Sequence, residues 1–322
     1  MKKFATIISA LLLCSLSLSA SAQDYPVKPI RLLVGFAPGG AADYVARAMS
    51  DALGKALGQT IVVENRAGAG SSIAAEAAAK AAPDGYTVLI ASPSSISVNP
   101  ALNPKLGYKA SDLAPIGKIT GSPLVIAVNP SIGINSIQEL IAKAKKSPDA
   151  LNYATSGNGS APHLGAALFV QLTGANMTHI PFRGGGPAIQ SVIAGDTQLT
   201  FGTPPSVLPM VQAGRLRGLA VSTRERTPLV PGVPGMAEAG LPEYSIEFWY
   251  GLFVPAGTPP AIIKKIFDAT TTAMQQPSVK AALAREGTDV TLSSSPEQFS
   301  AFLNEDAKFW TKLVKTAGVK LD

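Results

Sequence analysis

The chain has 322 residues, 46% of them hydrophobic and 15% charged, with a formal net charge of +6 and one cysteine. A lone cysteine excludes an internal disulfide, and basic residues scattered everywhere except "KAKK" at 143–146 form no nucleic-acid stripe. Past the first residues no apolar run reaches the ~20 residues of a membrane span, so the chain reads as one or two ordinary domains with their own core.

The N-terminus reads as an export leader. Lys2 and Lys3 precede the apolar run Phe4 to Leu13, and Ala20-Ser21-Ala22 is a small-residue cleavage site, so residues 1–22 form a signal peptide and the mature chain begins at Gln23. A lipoprotein acylated at Cys14 is the rival reading, but Leu13 is larger than such sites tolerate. Cleavage removes the only cysteine and leaves 25 basic against 21 acidic residues, a net charge of +4. That balance attracts small anions weakly at long range.

From Ile30 onward, β-like runs alternate with helical patterns, the signature of an α/β fold. The runs are "IRLLVGF", "TIVVEN", "YTVLIAS", "LVIAVNP", "LNYATS", "MTHIPF", "QLTFG", "LRGLAVS" and "WYGLFVP". Ser136 and Glu139 form a capping box ahead of "LIAKAKK". Thr258-Pro259-Pro260 opens a helix whose apolar face is Ile262, Ile263, Ile266 and Phe267. Ser295-Pro296 opens the last helix, with Phe299, Phe302, Leu303, Trp310, Leu313 and Val314 toward the core. The stretch "TPLVPGVPGM" at 227–236 reads as loop. No linker separates two domains, so a two-domain chain must cross between them more than once, with 121–131 and 246–257 as the candidate crossing strands.

Three strand–helix junctions carry the candidate chemistry. In "GFAPGGAAD", Gly39 and Gly40 let backbone N–H groups converge on an oxygen, and a helix starting near Ala41 or Ala42 adds unpaired N–H groups and a partial positive charge. The spacing Gly35, Gly39, Gly40 is not the dinucleotide pattern, and no Gly-Lys-Ser/Thr follows as a P-loop requires. A plain strand-to-helix turn remains the alternative. Asp43 would oppose a bound anion, so it either organises the loop and helix start or meets a ligand hydroxyl or amine.

The second junction, Ser156-Gly157-Asn158-Gly159-Ser160, repeats this logic with hydroxyls, and two such loops face to face would grip one small carboxylate. The third is "HIPFRGGGP", where Arg183 either forks onto a second carboxylate or is a solvated surface residue. Gly202-Thr203 is a candidate cleft edge. His163 is either a hydrogen-bond donor at a pocket rim or a packed structural histidine. His163 and His179, sixteen apart with no carboxylate cluster nearby, lack metal-ligand spacing, and neither metal nor cofactor is expected. Trp249 and Tyr250 are either core or a stacking wall for an aromatic ligand.

Seven blocks in order, "LLVGFAPGGAADYVAR", "VVENRAGAG", "AAEAAAKAAPDGYTVLI", "NYATSGNGSAPHLGAALF", "QSVIAGDTQLTFGTPPS", "QAGRLRGLAVST" and "GLPEYS…WYGLFVPAGTP", resemble the Bug family, the solute-binding receptors of tripartite tricarboxylate transporters. The likeness runs from about Tyr25 to Gly318. It implies a type II-like, two-domain α/β periplasmic binding protein fold, with mixed sheets flanked by helices and the ligand in the interdomain cleft. On that pattern, 23–122 plus 250–322 form one domain and 123–249 the other. The resemblance also implies a carboxylate held by Phe36, Ala37, Gly39, Gly40 and Asp43 and by Ser156, Gly159, Ser160 and His163, with Ser92 and Ser94 in a further cleft segment. Arg183, Gly202 and Thr203 complete the candidate set.

The chain departs from the family where many members place an acidic residue after the strand equivalent to "QLTF"; here stands Gly202-Thr203, which removes a partner for an amine and argues against an amino-acid ligand. The implied role is a monomeric periplasmic receptor, without turnover, that delivers a small di- or tricarboxylate or an aromatic carboxylate to membrane transporter subunits, with no nucleic-acid partner. Two alternatives are an extracytoplasmic carboxylate sensor, which needs the same closing cleft, and a secreted hydrolase using Ser156 or Ser160 with His163.

Overall fold

The computed structural model describes residues 25–103, 105–147 and 151–316, so the leader and Cys14 lie outside the described residues. The described chain builds two sheets. The first has the order β11-β4-β10-β3-β1-β2, and the second β7-β6-β8-β5-β9. In the first, β1 (Ile30–Val34), β2 (Ile61–Asn65) and β3 (Thr87–Ala91) are parallel. There β10 (Glu247–Pro255) runs antiparallel to β3 and to β4 (Leu113–Pro123), with the two-residue β11 (Asp289–Val290) on β4. In the second, β6 (Asn152–Thr155), β7 (Thr178–Pro181) and β8 (Leu199–Gly202) are parallel, and β5 (Val125–Val128) pairs antiparallel with β8 and β9 (Arg217–Val221). Both sheets are therefore mixed.

Each expected run is a strand, but the longest segment of the crossing, β4, contains Pro115, Gly117 and Gly121 and carries no β-like signal. It is a strand because β10 pairs along its whole length. The chain crosses between sheets at Leu124 and again between Ser222 and Ile246, and the two crossings are tied together. Leu124 N donates to Ser222 Oγ at 2.7 Å and Ser222 N to Leu124 O at 2.8 Å, while Ser222 Oγ donates to Ile246 O and Ile246 N to Ser222 O at 3.1 Å. Ser222 is fully buried, and its hydroxyl, both donating and accepting, satisfies backbone groups that neither sheet pairs.

Helices cover both faces of each sheet. On α1 (Ala41–Leu57), Val45, Met49 and Leu53 recur at one helical face and are at most 2% exposed. Burying side chains of this kind stabilises by roughly 1.5–3 kcal/mol each. They pack with Leu32 and Val34 of β1 and with Ile266 and Ala273 of α8 (Pro260–Gln275), while Leu33 points to the opposite face, against α2 (Ser72–Ala79), Phe253 and Phe299. α3 is the short Asn99–Leu102 turn, and α9 (Pro277–Arg285) follows α8. The first core cluster continues into the second sheet through Ile126, Phe201 and Phe169, so an apolar seam joins the two lobes.

The helix signals hold with one refinement. At α4 (Ile137–Lys146), Ser136 Oγ accepts from Glu139 N at 3.1 Å, but the Glu139 carboxylate reaches Asn135 N at 2.7 Å, one residue earlier than a reciprocal box requires. In α10 (Pro296–Thr316), Trp310 Nε1 donates to Asp306 Oδ1 at 2.9 Å, and Trp249 Nε1 of β10 donates to the same oxygen at 2.9 Å. Trp249 is thereby core, 2% exposed, and not a ligand-stacking wall. The two prolines of 227–236 that flank Val233 leave the segment without regular structure, though Val230 and Val233 are buried under it.

Candidate functional site

Four helices begin at the carboxyl ends of parallel strands and point their N-termini at one cleft between the sheets: α1 after β1, α5 (Ala161–Thr173) after β6, α6 (Gly185–Ala194) after β7 and α7 (Pro204–Gln212) after β8. Ligands of open α/β sheets bind at such strand ends. The cleft is lined by Gly40, Ala41 and Ala42 from α1, Ala161 and Pro162 from α5, Gly185, Ala188 and Ile189 from α6, and Thr203 and Ser206 from α7. Phe36, Ser156, Thr200, Gly202, Phe248 and Tyr250 complete the wall. Among the described residues, no Asp, Glu, Lys, Arg or His lines the cleft. Positive potential there comes from helix dipoles and N–H groups alone.

The walls are nearly shut. The space between them, counted out to the mouth, is about 460 Å³, of which only about 20 Å³ is clear enough to admit a water-sized body. That is room for about one water. The lobes touch through glycines: a Cβ on Gly40 would lie 3.7 Å from Gly185 N, and one on Gly70 only 2.3 Å from Asn158 O. An organic acid therefore enters only if the lobes part.

A second cavity of about 200 Å³ adjoins the first, sharing Phe36 and Ser156, and is lined by the 68–71 turn, Gly157, Asn158, Pro181, Phe182 and Arg183. Arg183 is exposed at its rim.

The family model described as tripartite tricarboxylate transporter family receptor matches residues 45–319. The chain belongs to that receptor family. It is 37% identical over 303 residues to Protein BugT of Bordetella pertussis, covering 94% of this chain and 93% of the relative. Among solved structures, R. palustris Rpa4515 with adipate superposes with a TM-score of 0.88 at 32% identity, covering 92% of this chain and 99% of that one. MatC from Rhodopseudomonas palustris with bound malate gives 0.85 at 32% identity, covering 90% and 100%. The fold is the two-lobed α/β periplasmic binding architecture expected from the resemblance.

Of the receptor's expected site residues, Phe36, Gly40, Ser156, Gly202 and Thr203 line the cleft. Ala37 and Gly39 lie in the first loop behind them, with Gly40 N donating to Ala37 O at 3.3 Å. Ser92 and Ser94 are at most 1% exposed after the end of β3 and border neither cavity. Gly159 and Ser160 hold the second loop from below, and Ser160 Oγ is buried without a hydrogen-bond partner. No Ser160–His163 dyad forms, and among the described residues no cluster of three or more His, Cys, Asp or Glu side chains is placed to hold a metal.

Asp43 is an organiser, not a lining residue. It is 4% exposed, and Oδ2 accepts from Gly39 N at 3.0 Å while Oδ1 accepts from Asn65 Nδ2 at 2.9 Å; Arg47 Nε spans both oxygens. Asn65 also donates to Phe36 O at 3.0 Å, so the carboxylate and amide together fix the glycine loop. Burial would raise the Asp43 pKa, but the hydrogen bonds from Arg47, Gly39 and Asn65 and the Arg47 charge outweigh it and hold the carboxyl below its ordinary value.

Every partner of Asp43 is a donor, and an Asn side chain offers one acceptor oxygen. Asp43→Asn should therefore cost about 2 kcal/mol at pH 7. A depressed carboxyl stabilises the fold above its unfolded pKa and ceases to do so as pH falls through the folded pKa. The wild-type advantage in urea unfolding should thus be full above about pH 5 and shrink on acidification below the ordinary carboxylate range. An advantage that grows in acid would refute this account.

At His163, Nδ1 accepts from Gly159 N at 3.0 Å. Its ring stacks on His179 at 3.9 Å and 9°, and His179 stacks in turn on Tyr153 at 5.1 Å. Burial, then the neighbouring His163, lowers the His179 pKa to about 3, so this ring is neutral at ordinary pH and its Nε2 bonds Thr155 Oγ1 at 2.6 Å. The pair is a stacked support under the Ser-Gly loop.

Lining residues not named from sequence include Ala161, Gly185 and Phe248, while Ala41 and Ala42 stood there only as a helix start and Tyr250 as either core or stacking wall. Ala41, Ala42, Ala161 and Gly185 carry no chemistry in their side chains; only their N–H positions matter. Tyr250 had a readable signal. Alternation along β10 puts Phe248 and Tyr250 on the cleft face and Trp249 on the other, with Phe248 and Tyr250 packed edge-on at 5.7 Å and 82°.

Proposed function

We propose that this receptor is exported by its leader, captures a small organic carboxylate in the interlobe cleft as a monomer in the periplasm, and hands it unchanged to a tripartite tricarboxylate-type transporter. One observation carries this reading: α1, α5 and α6 aim unpaired N–H groups at a cleft whose lining has no cationic side chain. Neutral main-chain donors in a shielded site bind an anion without competing counter-ions. The adipate and malate in two related structures support the same class.

In this reading the expected division, 23–122 plus 250–322 against 123–249, shifts so that β4 and β10 stay whole: the chain through Pro123 and from Glu247 onward moves as one lobe and 124–246 as the other. The Leu124–Ser222–Ile246 clasp is the hinge, and closure around the ligand excludes water. Arg183, at the rim of the adjoining cavity, attracts the anion on entry.

A ligand that binds only the folded form raises the unfolding temperature by mass action. Purified mature protein should therefore gain stability with some of a panel of mono-, di- and tricarboxylates. No shift with any carboxylate, together with a shift from neutral sugars, would overturn the proposal. Mass spectrometry of the released ligand should recover it intact, and a turned-over product would point to an enzyme instead.

A further inference from the structure

The cleft's donors are not evenly spread. α1, α5 and α6 offer N–H groups, but α7 begins Thr203-Pro204-Pro205. Prolines at its first two positions have no N–H, and the third, Ser206 N, is already spent on Thr203 O at 3.0 Å. Apart from Thr203 N at the cap, that helix start leaves the cleft no main-chain donor among its first three residues.

It offers hydroxyls instead. Ser206 Oγ is buried without a hydrogen-bond partner, and Thr203 makes no capping bond with its side chain. Facing them from β10, Tyr250 lines the same cleft at 6% exposure, with a hydroxyl that bonds no described residue. Burial pushes the Tyr250 phenol up, so it stays neutral. Phe248, Ala188 and Ile189 supply the surrounding apolar wall.

Resting on the carboxylate reading, we infer that Thr203, Ser206 and Tyr250 recognise a neutral oxygen at the other end of the ligand, so that this receptor selects hydroxy- or oxo-substituted monocarboxylates over dicarboxylates and amino acids. A hydroxyl both donates and accepts, which matches an alcohol or ketone. A second carboxylate at this wall would be buried with no cation and, beyond Thr203 and the Gly185 start of α6 beside Ser206, few N–H groups, and an ammonium would find no carboxylate. A site built to bond a hydroxyl also rejects the analogue that lacks it, because its own polar groups are left unpaired.

The test is calorimetric titration of the mature protein with two matched sets: 6-hydroxyhexanoate, hexanoate, adipate and 6-aminohexanoate; and 4-hydroxybenzoate, benzoate, terephthalate and 4-(aminomethyl)benzoate. The expected result is at least ~10-fold tighter binding of the hydroxy acid than of the other three in whichever set the cleft accommodates. Tyr250→Phe should cut hydroxy-acid affinity about tenfold and bind the unsubstituted acid no more weakly than the wild type does, and Ser206→Ala should do the same to a smaller extent. Melting curves of both variants establish that they fold.

Tightest binding by a dicarboxylate or amino acid overturns the inference, as does a hydroxy-to-plain ratio near one or one that Tyr250→Phe leaves unaltered. In those outcomes the carboxylate reading survives. Binding of no acid in either set overturns the inference, and the carboxylate reading falls with it only if the wider panel of mono-, di- and tricarboxylates also fails.

Discussion

Gly40→Trp should abolish ligand binding, lowering affinity by more than ~100-fold while each lobe keeps its fold. Gly40 caps α1 with ordinary extended dihedrals (φ −85°, ψ 169°), so a side chain adds no backbone strain, and the change at this cap position costs well under 1–2 kcal/mol. Its Cβ would sit 3.4 Å from Ala37 O and 3.7 Å from Gly185 N, aimed across the cleft at the start of α6. A clear space of about 20 Å³ does not take an indole, so the ring must hold the lobes apart. Closure is then blocked, and with it the burial that makes neutral N–H donors effective. Calorimetry reads the affinity, and small-angle scattering should report a larger radius of gyration than the wild type with ligand. Affinity within threefold of wild type, with normal closure, would remove the α1 start from the site.

Gly35→Ala should destabilise the receptor by about 3 kcal/mol, and Ser71→Gly in the same chain should restore more than half of that. An ideal Cβ on Gly35 meets Ser71 Oγ at 1.9 Å, Ser71 Cβ at 2.5 Å and Ser71 Cα at 2.8 Å. These atoms are 1% exposed and have nowhere to go. Ser71 itself sits at φ +76°, in the left-handed region that costs a non-glycine residue about 1 kcal/mol, and its Oγ has no hydrogen-bond partner. Ser71→Gly alone should thus be within about 1 kcal/mol of wild type, relief of strain offsetting lost packing. The urea-unfolding cycle should give a coupling of at least ~1.5 kcal/mol. Additive losses would mean that the Gly35 requirement comes from elsewhere than this contact.

The two substitutions separate binding from folding because they probe different neighbours of one loop. Gly40 faces the other lobe; Gly35 faces the turn at 68–71 of its own lobe. Both glycines stand in the same nine-residue stretch, 35–43, and nothing within that stretch assigns them these different jobs.

Much of the architecture is legible because its causes are local. Alternating apolar runs predict nine strands, capping and proline signals predict the starts of α4, α8 and α10, and the glycine-rich junctions predict where N–H groups are exposed. The strand β4 escapes because Pro115, Gly117 and Gly121 defeat any local rule, and only pairing with β10 makes it a strand. Its neighbour shows the opposite case: period-two alternation in β10 separates Trp249 from Tyr250, and applying it would have sent one to the Asp306 core and the other to the cleft.

What the sequence alone determined is an α/β chain order, glycine-rich helix starts after β1, β6 and β7, a Thr-Pro-Pro start after β8 and, through ordered blocks from about Tyr25 to Gly318, the receptor family. Each depends on residues within a few positions of one another, or on their order. What only the tertiary structure decided is that those four helix starts meet at one cleft, that Asp43 and His163 support the loops from behind, and that Tyr250 lines that cleft with Thr203 and Ser206. The reason is geometric: helix starts more than a hundred residues apart converge because strand order in two sheets carries their N-termini to one place, and strand order is set by long-range pairing that no short stretch encodes.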